Sequence, residues 1–379
     1  AEHVLLLVLH HIITDGWSGG VLTDELGELY AAAQRGTPAA LPDLAVQYAD
    51  FAVWQRHRLA GTAGAAQLGY WRERLAGITP LELPTDRPRP AVRTSAGALH
   101  AFSVPADLTA RLHRLARRHD CTLFTTLVAA CQLLLSRWSD QDDIALGTVT
   151  SGREHPGLDR IVGFFVDTVV LRTRLDRRGS FADLLGAARE TVLGAFTHQD
   201  VPFERLVEEL QPVRDTSRNP LFDVLVVLQN LPGGAPQLPG LRVEELPPPI
   251  ITASHDLAVE FEEHDGVLAG ALEYNTDLFD AATVERMAGH LLVLLDAVTT
   301  DPDRPLDQVA LLTTAERRDI EAYQRGPVVD VPAATFGELV EAQAARVPAA
   351  TALVCGTESL TYADLDARAN RLARLLRSR

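Results

Sequence analysis

Lysine is absent from this chain, so all 35 of its basic residues are arginine. That excludes a Schiff-base nucleophile, attachment of pyridoxal phosphate and a phosphate-loop lysine of the usual kind. Methionine is nearly absent too: Met287 is the one example, and position 1 is Ala1. A segment of a longer polypeptide is therefore expected. The three cysteines, Cys121, Cys131 and Cys355, form no CxxC pair and sit in apolar contexts, so they read as small core residues in a reducing, cytoplasmic setting. The first aliphatic run, Val4 to Leu9, is too short for a membrane span or a signal-peptide core and has no basic flank.

Positive charge is also in deficit. Against 51 acidic residues the formal net charge is −16, with a pI near 5.2. An acidic surface cannot release counterions from nucleic acid or attract anionic headgroups, so neither nucleic acid nor a membrane is an expected partner. What is present is ordinary for a globular chain of two or three domains: 379 residues, 46% hydrophobic, with mean hydropathy +0.02.

Val4 to Leu9 reads as a buried strand leading into a polar, glycine-containing loop from His10 to Gly20. Helical spacing follows over about 18–34, 46–59 and 62–76. The prolines at 84, 88 and 90 then mark an extended stretch, because proline lacks a donor and pushes its predecessor out of helix. Beyond it the pattern predicts strands over 97–104, 143–150, 164–174, 222–229, 255–263 and 267–275. Helices are predicted over 106–119, 122–138, 180–197, 202–210 and 281–298, with a long proline-rich loop at 231–249. Without a glycine fingerprint or a tight β-α-β rhythm, a mixed-sheet α/β sandwich is expected. After about 300 the pattern breaks, and a helix near Phe336, a strand at Ala352 to Cys355 and a helix from Tyr362 to Leu376 suggest the opening of a second domain.

The densest chemical signal is His10-His11-Ile12-Ile13-Thr14-Asp15-Gly16-Trp17-Ser18. HxxxD alone is uninformative, since His155 to Asp159 also matches it. The first site differs in its paired histidine, its glycine directly after the aspartate and the apolar run that delivers the loop. An imidazole there suits general-base work near neutrality, and a carboxylate can brace the loop. A metal site is disfavoured, because adjacent histidines on a strand face opposite ways and no third ligand stands at a familiar spacing.

This run resembles the HHxxxDG motif of condensation domains in nonribosomal peptide synthetases, relatives of chloramphenicol acetyltransferase. Four later stretches resemble further motifs of that family in order: Tyr48 to Gln55, Val162 to Thr168, His198 to Glu204 and Arg214 to Phe222. The resemblance implies a two-lobed mixed-sheet α/β fold with most of its N-terminal lobe missing here. It divides the chain into a condensation domain at 1–300, whose residues 1–80 end the N-terminal lobe, a linker at 301–333 and the beginning of an adenylation domain at 334–379. It also implies an acyltransferase that joins a donor aminoacyl or peptidyl thioester to the amine of an acceptor, both held on phosphopantetheine arms. The partners so implied are upstream donor and downstream acceptor carrier domains, and an adenylation domain in cis. No cofactor is expected on this segment.

By the resemblance, His11 is the catalytic residue, supported by His10, Asp15 and Gly16. Asp15 would brace the loop through a salt bridge to an arginine in the missing part, and so would stand unpaired here. Trp17, Ser18, Asp167 and Arg218 are candidates for the channel wall or for packing. Asp167 departs from the family's usual asparagine and adds a charge near the channel. His198 reads as structural, Tyr48 and Trp54 as packing residues, and Arg214, Asp215 and Arg218 as an ion-pair network shaping a loop. The competing reading is a non-catalytic platform that docks carriers or tailoring proteins. Such relatives tend to lose the histidine and aspartate that are intact here.

Overall fold

The computed structural model describes residues 2–212, 214–229, 236–244, 246, 251–326, 330 and 333–379. The chain divides into two compact units, Ala1–Thr314 and Ala315–Arg379.

The first unit opens with α1 (Gly16–Arg35), α2 (Tyr48–Leu59) and α3 (Thr62–Leu75). Asp15 caps α1 by accepting from the Ser18 amide, and Gly36 ends it in the left-handed conformation that a residue lacking Cβ adopts without strain. The remaining elements are β1 (Gly97–Val104), α4 (Ala106–Arg118), α5 (Leu123–Ser139), β2 (Asp143–Thr150), β3 (Asp167–Arg174), α6 (Phe181–Thr197), α7 (Phe203–Leu210), β4 (Val224–Gln229), β5 (Leu257–His264), β6 (Val267–Asn275) and α8 (Ala281–Thr300). Six strands form one sheet in the order β1-β6-β5-β4-β2-β3. The β4 strand runs parallel to β2 and β5, and the other pairs are antiparallel, which makes the sheet mixed.

Alternation along β5 and β6 explains which face is covered. Leu257, Val259, Phe261, Leu268, Leu272 and Tyr274 are buried, while Glu262, Val267 and Ala269 between them are exposed. Helix α5 is apolar nearly all round and, apart from the half-buried Phe124, is buried from Leu123 through Ser136, as expected of a helix packed on several sides. It touches α4, α6 and α8 as well as β2 and β4. Trp71, Phe181, Phe261 and Phe279 are the bulkiest fully buried side chains of this core.

Several expectations need correction. Val4 to Leu9 forms no strand and is exposed. An apolar run becomes a strand only by sharing backbone hydrogen bonds with a neighbour, and none of the described residues supplies one. The third predicted strand starts at Asp167, not 164. The stretch read as a linker from 301 is structured: Leu306 and Val309 are buried in the core of the first unit, and an unforeseen helix α9 (Thr314–Arg325) follows. The loop expected at 231–249 lies largely outside the described residues. Of the three cysteines, Cys131 is buried with its thiol pushed up to about 12 by desolvation, Cys121 is half-buried and Cys355 is exposed.

The second unit holds α10 (Phe336–Arg346), an antiparallel hairpin of β7 (Thr351–Cys355) and β8 (Glu358–Thr361), and α11 (Tyr362–Arg377). Gly356 turns the hairpin at φ +60°. Thr335 with Glu338, and Thr361 with Asp364, cap the two helices reciprocally. Among the described residues, no single helix is long and apolar enough to cross a membrane.

Candidate active site

Between the exposed N-terminal run and α1 the chain makes one short 3-10 turn, His11–Ile13. The two histidines sit in this turn and not on a strand. His10 Nδ1 accepts from the Ile12 amide at 3.0 Å, capping the turn. His11 Nδ1 lies 2.6 Å from the Thr14 carbonyl oxygen. A carbonyl oxygen only accepts, so Nδ1 carries the proton and Nε2 of the neutral ring keeps its lone pair. The edge-on ring of Phe164, 5.0 Å from the imidazole centroid, fixes the ring from one side. His11 is otherwise exposed, which leaves Nε2 open to a reacting group.

Asp15 lies beneath this turn and is saturated. Its Oδ1 accepts from the Ser18 amide (2.8 Å), the Ser18 hydroxyl (2.7 Å) and Arg153 Nη2 (3.0 Å), and its Oδ2 accepts from the Phe165 amide (2.9 Å). Burial works to raise its pKa. The Ser18 and Phe165 hydrogen bonds and the Arg153 charge outweigh that, holding the carboxyl below the usual range. The expectation of an unpaired Asp15 is therefore overturned. Its partner is Arg153, and with side chains 0% exposed for Arg153 and 3% for Asp15 the pair is fully buried.

Arg153 is bonded through both terminal nitrogens, and its buried Nε alone has no hydrogen-bond partner. Nη1 donates to the Leu158 and Ile161 carbonyls at 2.6 and 2.8 Å, Nη2 reaches the Ser18 hydroxyl at 2.9 Å, and the guanidinium lies 4.1 Å from the Phe165 ring centroid. No hydrogen bond joins Asp15 to His11 among the described residues. The buried pair thus positions the loop and is not a relay to the imidazole.

Ser18 is a hub of this arrangement, because its hydroxyl also accepts from the Gly163 amide at 3.1 Å. Gly163 is closely packed: a Cβ there would stand 2.3 Å from the Tyr48 ring, which would have to shift. Tyr48 hydrogen-bonds the Phe164 carbonyl at 2.7 Å and packs edge-on against Phe165. The segment 163–165 is thereby clamped between α1 and α2, and Phe164 is held against His11. Trp17 donates its indole N–H to the Asp159 carbonyl at 2.8 Å, which ties α1 to the loop after β2. Gly16 is the exposed first residue of α1.

The other candidates fall elsewhere. Asp167 begins β3 and borders a cleft with Phe51, Trp54, Thr150, His155 and Asp200. Burial pushes its carboxyl up to about 7, so the added charge expected there is only partly present at neutrality. Arg218 bridges Asp223 (2.9 Å) and Glu82 (2.6 Å), with Asp215 only at 4.0 Å, so its partners differ from the Arg214, Asp215 and Arg218 network expected, and no ion pair of Arg214 joins it among the described residues. His198 caps the end of α6 through Nδ1 and the Gly194 carbonyl and stacks on Tyr70, a structural role. Trp54 packs edge-on against His155. Among the described residues no group of His, Cys, Asp or Glu could hold a metal ion.

Arg153 is the residue that sequence reasoning missed. The signal was an arginine beside Gly152, whose φ of +64° lets the backbone pass where a Cβ would lie 2.1 Å from the Phe165 carbonyl oxygen.

A linear gramicidin synthase of Brevibacillus parabrevis is 43% identical over 379 residues, covering 99% of this chain and 5% of that protein. Phosphinothricin tripeptide synthetase PhsC of Streptomyces viridochromogenes is 41% identical, covering 98% of this chain and 34% of that one. The chain thus spans a small part of the curated relatives it matches. Among solved structures, the X-domain from teicoplanin biosynthesis matches at TM-score 0.75 and 30% identity over 80% of this chain and 71% of that one. Holo-AB3403, a four-domain nonribosomal peptide synthetase, matches at TM-score 0.79 and 25% identity over 98% of this chain and 29% of that one. The Condensation domain family matches residues 1–321, and this chain belongs to the condensation domains of nonribosomal peptide synthetases.

Proposed function

We propose that this chain works within a longer synthetase, where its first unit joins a donor thioester to the amine of an acceptor, each delivered on the phosphopantetheine arm of a carrier domain. The general role of the family is amide-bond formation between carrier-bound substrates. The observation that carries the reading here is His11, with Nδ1 tied to the Thr14 carbonyl and Nε2 left free on an exposed ring. In this arrangement Nε2 accepts or orients the proton of the attacking amine while the amine forms the amide and the donor thiolate leaves. Asp15 and Arg153 hold the turn, and Gly16 leaves the backbone open beside the reacting carbonyl.

The finer organisation follows from the same reading. Residues 1–80 would close an N-terminal lobe of a two-lobed fold, and the exposed run Val4 to Leu9 supports it, being a strand sequence without a strand partner among the described residues. The separate unit with its β7–β8 hairpin and α11 supports an adenylation-domain start, whose neighbour would act in cis. The test is to present donor- and acceptor-loaded carriers to the synthetase and follow the acceptor carrier by mass spectrometry. Donor-acceptor amide on the acceptor arm is the expected product, and carriers that bind with no transfer would contradict the proposal.

A second reading, a docking platform, draws on the likeness at TM-score 0.73 and 30% identity to the X-domain in its complex with OxyB. The free Nε2 of His11 favours catalysis, because a platform has no use for an unengaged imidazole nitrogen.

A further inference from the structure

A small, open cleft lies between α2, the loop after β2 and the start of β3. Phe51, Trp54 and Phe165 give it an aromatic wall, and Thr150, Glu154, His155, Asp167, Gln199 and Asp200 give it a polar side, with Arg58 at the rim. Neither His11 nor Asp15 borders it. Three carboxyl groups face one guanidinium there, so the lining is net acidic when Asp167 is ionised.

Most of these polar groups are engaged. Asp200 is held by Arg58 at 2.6 Å and Gln67 at 2.7 Å, Glu154 accepts from Gln199, and Arg58 lies 5.2 Å from the Trp54 ring centroid. Two are not. Thr150 and Asp167 stand directly opposite one another in the antiparallel β2–β3 pair. Thr150 Oγ1 is buried with no hydrogen-bond partner. Asp167 Oδ1 accepts from the Thr168 and Phe203 amides, but its Oδ2 is engaged by no donor among the described residues. Buried polar groups in folded proteins are normally paired, and Thr150 Oγ1 is an exception beside a carboxylate oxygen that is open to the cleft, which marks where a donor can enter.

We propose that this cleft binds a primary ammonium group on a short apolar stem, with Asp167 Oδ2 accepting from the ammonium and the Trp54 and Phe165 rings flanking the stem. An ammonium supplies the donor that Asp167 Oδ2 lacks, and aromatic faces favour a cation and its methylenes together. A neutral alcohol of the same length offers one donor and no charge, and a carboxylate would meet Glu154, Asp167 and Asp200. The ligand chemistry is shared by a free small amine and by a substrate acyl group with an amine-bearing side chain.

Ionisation of Asp167 makes binding depend on pH. The titratable groups facing it are Glu154, His155 and Asp200 across the cleft and Glu204 at the start of α7, with Arg58 as the fixed cation. Because burial pushes Asp167 up to about 7, n-butylammonium should bind more tightly at pH 8 than at pH 6.

The experiment is a titration of the full chain with n-butylammonium, n-butanol and butyrate, following the 15N–H signal of the Trp54 indole, assigned through Trp54→Phe. A saturable shift with butylammonium alone is expected, the Trp17 indole staying unmoved. Asp167→Asn, which keeps the Oδ1 acceptor, should weaken that binding at least tenfold at pH 8, and Thr150→Val should weaken it several-fold. An equal response to butanol, an equal affinity in Asp167→Asn when its thermal unfolding is normal, or no saturation with any probe would overturn the proposal. A parallel arm compares ornithinyl-pantetheine with norvalyl-pantetheine. Preference for the ornithinyl form assigns the ammonium to a substrate side chain, and equal weak response to both, with butylammonium still binding, assigns it to a free amine.

Discussion

Arg153 and Asp15, 138 residues apart in sequence, form a fully buried ion pair at 3.0 Å directly beneath the turn that carries His11. Removing one partner leaves the other charged and buried, which typically costs about 3–5 kcal/mol. Arg153→Met should therefore destabilise the first unit by about that amount, read as a lower urea midpoint at unchanged slope. A midpoint within experimental error of the parent would show that the pair contributes little.

The two carboxyl groups near the site give stability opposite dependences on pH. Asp15 is held below its usual range, so its contribution is present above the unfolded pKa, about 3.9, and fades as pH falls through its lower folded value. Asp167 is raised to about 7, so the folded state binds the extra proton and stability falls as pH rises from about 4 to about 7. At about 1.4 kcal/mol per unit, the penalty above pH 7 has an upper bound of about 4 kcal/mol. Asp167→Asn should thus be stabilising at pH 8 relative to the parent and nearly neutral at pH 4.5, measured by denaturant unfolding at both values.

Gly163 supports the site by its smallness. Gly163→Ala would drive a Cβ to 2.3 Å from the Tyr48 ring and should cost about 1–3 kcal/mol through overpacking. Pairing it with Tyr48→Ala should recover part of the packing strain, so a double-mutant cycle should show coupling between the two. Purely additive effects would mean that the ring moves aside freely.

These contacts also show where sequence stops being informative. The strands at Gly97–Val104 and Val267–Asn275 were legible because period-2 alternation and turn residues are local signals. The turn at His10 and His11 was legible as a site because histidine, aspartate and glycine cluster within seven residues. Arg153 was not, since no local spacing records which of many arginines a carboxylate will meet after folding. Val4 to Leu9 misled for a related reason: its pattern is that of a strand, but a ladder partner decides whether one forms. The shifted Asp167 depends on burial by α7 and α2 and leaves no trace in the residues beside it.

Phe164 connects packing to chemistry. Its ring is the one aromatic contact of the His11 imidazole among the described residues, so Phe164→Ala should lower transfer by about ten- to a hundredfold through loss of orientation, with little change in stability because the ring is partly exposed. Unchanged transfer with a normal unfolding midpoint would show that the Thr14 carbonyl alone orients the ring.

His11 Nε2 is the atom on which the proposed chemistry turns, and dipeptidyl transfer between donor- and acceptor-loaded carriers on the parent synthetase measures its role directly. His11→Ala is expected to lower the rate of transfer by several orders of magnitude, of the size seen when a general base is removed, while carrier loading and the unfolding midpoint stay as in the parent. Transfer at the parental rate in His11→Ala would contradict the assignment of this residue and, with it, the proposed chemistry of the site.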